Sequence, residues 1–243
     1  MRLRPMLLIV LFALSPLVRA QCVAEAAATR RHLVELYSSE GCSSCPPAEG
    51  WLRTLHTGAD VVPLEFHVDY WDNLGWRDRF ADARYTARQQ SIATRGGGST
   101  VYTPQVVLDG RSWADWYRGG HLPPPPETAA TMTLKVTPGA AVHVRVQTHT
   151  SDGSEAGALR NYLALTEDGT STPVAAGENR GVTLRSDHVV RAFAGPLPLA
   201  DAEADLVVPK GIDLDHASVV AFAQNPRDGT IAQVAVVPLA QCH

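Results

Sequence analysis

Apolar positions in the first half of the chain fall into short blocks separated by amphipathic stretches. RHLVELY, residues 31–37, reads as a short buried strand. CPPAEGWLRTLH, residues 45–56, predicts a helix: prolines are tolerated in a first turn, and Trp51, Leu52 and Leu55 fall on one face. DVVPLEFHVDYW, residues 60–71, predicts a second strand, ended by Asn73-Leu74-Gly75. DRFADARYTARQQSIATR, residues 78–95, predicts a helix with Phe80, Tyr85 and Ile92 on one face and a stop at Gly96-Gly97-Gly98. TVYTPQVVLDGRSW, residues 100–113, carries a third strand, then a turn at Asp109-Gly110 into a hairpin partner.

The pattern changes after GGHLPPPPE, residues 119–127. Four prolines in a row fit neither a helix nor a central strand, so residues 123–126 read as a stiff linker. Beyond it AVHVRVQTH alternates strictly, with Val142, Val144 and Val146 on one side and His143, Arg145 and Gln147 on the other. That is a half-buried antiparallel strand. LRNYLALT, HVVRAFA, ADLVVP, SVVAFAQN and IAQVAVVPL follow, divided by turn residues, with Asp228-Gly229 a strong hairpin signal. The expectation is an antiparallel β-sandwich over residues 127–243 and an α/β domain over residues 30–122.

The first twenty residues stand apart. Arg2 and Arg4 precede an apolar run from Met6 to Leu14, and Val18 and Ala20 supply small residues before a cut. Residues 1–20 therefore read as a secretory signal peptide, too short in its apolar run to span a membrane. The expected location is secreted or periplasmic, with no membrane attachment after cleavage. The formal charge is −4, and loss of Arg2, Arg4 and Arg19 leaves 18 basic against 25 acidic residues, a charge of −7. No basic run is present, which argues against a nucleic-acid partner.

Export changes how Cys22, Cys42, Cys45 and Cys242 read, because an oxidising compartment preserves disulfides. Cys22 and Cys242 sit near the two ends of the mature chain, and chain ends commonly lie together. A Cys22–Cys242 structural disulfide is the preferred pairing, against free tail thiols or an intermolecular bridge.

Cys42 and Cys45 form a Cys-x-x-Cys at a predicted strand-to-helix junction. A helix start offers unpaired amides and the positive end of the dipole, both favouring a thiolate. Cys42 is then the accessible nucleophile, and Cys45, one turn inward, the buried resolving thiol. Two other chemistries stay open. Two sulfurs suit Cu(I), although no second Cys-x-x-Cys or paired histidines complete a zinc site. A purely structural disulfide would make the protein a binding module with its function in the sandwich. No cofactor motif is present.

Three stretches, VELYSSEGCSSCPPAEGWL, EFHVDYWDNLGWRDRFADARYTARQQ and VYTPQVVLDGR, resemble a family of secreted thioredoxin-like proteins catalogued as a domain of unknown function. GENRGVTLRSDHVVRAF is similar to that family too. The resemblance covers most of the mature chain and implies a thioredoxin-like first domain. It implies a cis bond at Thr103-Pro104 facing the cysteines, with neighbouring backbone able to pair an extended substrate. It also implies a buried acid near Cys45, for which Glu35 is the candidate. Two features depart from the thioredoxin pattern: Gly41 replaces the usual tryptophan, and SWADWYRGGHLPPPP leaves little room for a closing helix.

The resulting expectation is thiol–disulfide exchange with a disulfide-bearing protein or small thiol. Cys42, Cys45, Thr103, Pro104 and Glu35 form the site, and Trp71 and Tyr102 are substrate contacts. His67 and Asp69 share a strand face and read either as proton carriers or as locally bonded structural groups. Tyr70 and Trp76 read as packing. GENRG reads as a turn in the sandwich, or else Glu178, Asn179 and Arg180 bind something at the domain junction.

Overall fold

Strands that are apolar at every position need cover on both faces, and the central strands of this protein have it. The computed structural model describes residues 21–26, 29–58, 60–128, 130–151 and 158–242. The expected leader, residues 1–20, lies outside them. The first half contains β1 (Cys22–Ala26), β2 (His32–Ser38), α1 (Pro46–Leu52), β3 (Val61–His67), α2 (Ala83–Arg95), β4 (Gln105–Leu108) and β5 (Arg111–Ser112). The second half contains β6 (Ala130–Thr137), β7 (Ala141–Thr150), β8 (Arg160–Glu167), β9 (Thr170–Pro173), β10 (Thr183–Ser186), β11 (Val189–Leu197), β12 (Ala202–Val207), β13 (Ala217–Gln224) and β14 (Ile231–Pro238). The protein is thus mostly β-strand, with few helices and several sheets.

One eight-stranded sheet, ordered β14-β13-β8-β11-β3-β2-β4-β5, takes strands from both sides of the proline run. The join is parallel, with Val189 of β11 opposite Glu65 of β3 and the Glu65 amide donating to the His188 carbonyl at 2.8 Å. The prolines themselves lie against the first half: Arg30 donates its amide to the Pro126 carbonyl, and His32 Nε2 meets the Pro123 carbonyl. A second sheet, β1-β6-β7-β12, draws the N-terminal strand into the second half.

Side-chain alternation sorts the core into layers. On one face of the large sheet Leu33, Tyr37, Phe66, Tyr162 and Phe222 pack with Tyr85 and Ile92 of α2. On the other face Val34 and Leu36 of β2 meet Ala48 and Leu52 of α1. Farther along that face Leu163, Leu165, Val219 and Ala221 meet Val142, Val144 and Val146 of the four-stranded sheet. Each fully buried side chain of this kind contributes about 1.5–3 kcal/mol by leaving water.

Two disulfides close the fold, Cys22–Cys242 and Cys42–Cys45. The first fastens β1 to the turn after β14. Among the described residues no helix is long and apolar enough to cross a membrane.

Two elements differ from the sequence expectation. The first helix is shorter, starting at Pro46 and capped at Arg53. The second starts at Ala83, because the Asp82 carboxylate accepts the Arg84 amide and sets the N-cap there.

Candidate functional site

The chain leaves β2 at Ser38, turns at Ser39–Ser44 and enters α1 at Pro46. The Cys42 amide donates to the Ser39 carbonyl and the Cys45 amide to the Cys42 carbonyl, at 3.0 and 3.2 Å. Cys45 is the N-cap of α1, and Pro46 and Pro47 occupy the first turn, where a missing N–H leaves no helical bond unmade. The helix thus starts where residues 45–56 predict it, with Cys42 in the turn before it and Cys45 at its N-cap, so the dipole bears on the second sulfur.

One expectation, the access to Cys42, is corrected. Cys42 and Cys45 are both 0% exposed, whereas Ser43 and Ser44 between them are exposed. The turn between β9 and β10 lies against this loop. Asn179 donates its side-chain amide to the carbonyls of Glu40 and Cys42 at 2.9 and 3.0 Å. Glu178 accepts from the Ser43 amide and hydroxyl at 3.2 and 2.6 Å. Gly177, at φ +74°, lets this turn lie against Trp76; a Cβ there would stand 3.0 Å from the Trp76 Cβ. Trp76 in turn donates Nε1 to Glu40 Oε2 at 2.8 Å.

Trp71 flanks the loop on another side. A Cβ on Gly41 would come within 3.2 Å of the Trp71 Cβ, so Trp71 crowds the space a larger residue at 41 would need. Trp71 Nε1 donates to Thr103 Oγ1 at 2.8 Å. The Thr103-Pro104 bond is cis. Gln105 pairs with Tyr37 in the antiparallel β2–β4 ladder, which puts Thr103-Pro104 at the end of the sheet where the cysteine loop begins. Tyr102 is half exposed beside it, its hydroxyl 3.3 Å from Ser112 Oγ.

Glu35 is not part of this group. It shares the face of Leu33 and Tyr37, opposite the face that carries α1. Its carboxylate takes Arg88 Nε and Nη2 at 2.6 and 2.9 Å and the Tyr37 hydroxyl at 2.8 Å. A strand buried on both faces has no polar alternation, so the sequence gives no sign of which way Glu35 points.

The acid on the cysteine side is Glu49, one helical turn beyond Cys45 and joined to it by the Glu49 amide to Cys45 carbonyl bond of 3.2 Å. Its carboxylate is buried and accepts the Ser38 hydroxyl at 2.6 Å. Burial, followed by the neighbouring Glu65, pushes its carboxyl up to about 8. Spacing was the available signal: Glu49 falls at i+4 from Cys45 on the face that also carries Leu52.

Below it His67 bridges Glu65 Oε1 at 3.0 Å and Asp78 Oδ2 at 2.6 Å. Burial opposes the imidazolium, but Asp78 and Glu65 outweigh it and hold the proton well above the usual histidine range. Asp78 also accepts the Glu40 amide, tying this network to the cysteine loop. Asp69 is engaged by the Thr86 hydroxyl at 2.6 Å. Both residues are therefore satisfied by local bonds. Among the described residues no group of three or more His, Cys, Asp or Glu side chains could hold a metal ion.

Residues 33–224 match the family model described as "Protein of unknown function (DUF1223)". No curated protein matches the chain. Protein AGR_C_4864 from Agrobacterium tumefaciens has a similar structure, with a TM-score of 0.60 at 23% identity over 90% of this chain and 98% of that one. HBP35 of Porphyromonas gingivalis is similar at a TM-score of 0.61 and 13% identity, over 89% of this chain and 77% of that one. At these identities the likeness is one of fold alone. With four-fifths of its length, including the whole cysteine loop, inside the matched segment, the chain belongs to the DUF1223 family.

Proposed function

We propose that this protein is an exported, thioredoxin-like thiol–disulfide exchange protein whose Cys42–Cys45 bond is shielded at rest by the Gly177–Arg180 turn. The observation that carries the reading is the Cys42–Cys45 disulfide at the start of α1, set above the buried acid Glu49 and flanked through Trp71 by cis Thr103-Pro104. The run β2-α1-β3-α2-β4-β5, with β2 parallel to β3 and antiparallel to β4, supports the thioredoxin-like assignment of the first half. The disulfides and the expected leader support an oxidising compartment.

In the exchange, a thiolate from a partner protein or small thiol attacks the sulfur of Cys42. The Cys42–Cys45 bond breaks, Cys45 leaves as a thiolate, and a proton from Glu49 neutralises it. A second thiolate then attacks the partner's sulfur in the mixed disulfide. The partner thiols end as a disulfide and Cys42 leaves as a thiolate. Run backwards, the same steps reduce a partner disulfide. Trp71 and Tyr102 border the approach.

The complete burial of Cys42 favours a second reading, a binding module in which the bond is structural. Reduction potential and exchange rate separate the two. Exchange above that of a Cys42→Ser protein, with a potential above about −300 mV, is the expected result. A lower potential with no excess over Cys42→Ser would establish the structural role. The Cu(I) alternative rests on the two sulfurs alone, since His67 is engaged by Glu65 and Asp78.

A further inference from the structure

A cleft of about 700 Å³, with no residue of the cysteine loop in its lining, lies where the end of α2 meets the Asp109-Gly110 turn and the turn at residues 227–229. These two turns touch closely: a Cβ on Gly110, at φ +82°, would clash with the Gly229 carbonyl oxygen. Three arginines from three separate segments, Arg95, Arg111 and Arg227, line the cleft.

Arg95 is the anomaly. Its Nη1 donates to Ser91 Oγ at 3.2 Å, but its Nε and Nη2 are buried with no hydrogen-bond partner. Among the described residues no carboxylate makes ion-pair contact with Arg95, in contrast to Arg88, which holds Glu35. The carbonyls at the end of α2 offer no substitute: Ile92, Ala93 and Thr94 accept the amides of Gly96, Gly98 and Gly97. Burial, and then the charge of Arg88, make the guanidinium harder to keep protonated than an ordinary one. Unmatched buried donors of this kind are uncommon and destabilising, more so on a charged group.

The two unmatched groups are not scattered. Nε–H and Nη2–H form one edge of the planar guanidinium, the fork that takes a carboxylate or phosphate through two parallel bonds. We infer that this cleft binds a small multivalent anion bearing carboxylate or phosphate groups, held at one end by the Arg95 fork and at the other by Arg111 and Arg227. Without ligand the fork rests against the Gly229 turn, where a Cβ would stand 3.0 Å from Nε. Rotation about the last side-chain torsions turns it into the cleft. The hydroxyls of Tyr102 and Ser112 add donors along the wall. Asp228 is the one acid of the lining. It accepts the Thr230 amide and the Asn225 side-chain amide at 2.9 and 3.3 Å, and leaves the lining with a surplus of two positive charges.

Calorimetric titration of the disulfide-intact chain with pyrophosphate and with citrate, at fixed ionic strength, tests this. Saturable binding of at least one anion is expected, weakened at least about tenfold by Arg95→Gln, which removes the charged fork. The double variant Arg111→Gln/Arg227→Gln changes only exposed side chains and is expected to weaken binding by a similar factor with the thermal midpoint kept. It decides the matter if Arg95→Gln fails to fold. Preference between the two probes identifies the headgroup chemistry. Absence of saturation by both anions, equal affinity in the variants, or the same response to chloride overturns the inference.

Discussion

Asn179 holds the carbonyl of Cys42, a residue 137 positions earlier in the chain, with a 3.0 Å hydrogen bond. A buried side chain from the second half thereby fixes the backbone of the cysteine pair in the first. Replacing Asn179 by alanine removes this donor from the Glu40 carbonyl and leaves the Cys42 carbonyl with the Cys45 amide alone, at about 1–3 kcal/mol of stability. It also loosens the cover. Reduction of Cys42–Cys45 by dithiothreitol, followed by stopped flow, should speed up by about tenfold, on the order of what 1.4 kcal/mol in a barrier gives. An unchanged rate would mean the turn is not what limits access.

Glu49 predicts a pH effect with a definite sign. Its carboxyl titrates near 8 in the folded chain, above its ordinary value of 4.5. The folded state thus binds the proton more tightly than the unfolded one. The stabilisation is complete below about pH 4.5 and is lost as pH rises through about 8. Glu49→Gln removes this dependence, so its urea midpoint should gain on that of the parent between pH 5 and 8. Parallel midpoint curves would show that Glu49 titrates normally.

Glu35→Gln tests the opposite face. Arg88 keeps its position over the rings of Tyr162 and Phe222 but loses its carboxylate. Breaking a buried pair by removing one partner costs about 3–5 kcal/mol. Chemical denaturation should register that loss. Cysteine reactivity in the folded variant should stay unchanged, and a change would reinstate Glu35 near the sulfurs.

Cys22→Ser with Cys242→Ser opens a loop of sequence separation 220. Chain-entropy reasoning puts the loss at up to about 5 kcal/mol. The thermal midpoint should fall substantially, and the Cys42–Cys45 potential should hold.

Half-buried strands were the most legible part of the sequence. β7 alternates because one face meets the core and the other water, and its buried face could be read directly. β6 carries the same signal in Met132, Leu134 and Val136, yet passed unread beside the proline run. β2 was recognisable as a strand, but being buried throughout, it concealed the direction of Glu35. The cysteine pair and the Thr103-Pro104 segment were visible as motifs. What covers them was not, because the Glu178 and Asn179 contacts join distant segments and no local pattern encodes such a meeting. Arg95 looked like an ordinary basic residue in a last helical turn, and its unmatched edge emerges only once two turns fold against it.

The parallel seam between β3 and β11 has a bearing on how the polypeptide matures. Ribosomes deliver β3 more than a hundred residues before β11 exists, so the nascent front portion waits with a raw flank of unsatisfied amides. A gene cut at the proline run would make that wait permanent. The severed fragment should clump through its open border, and co-expression of the missing piece should rescue its solubility.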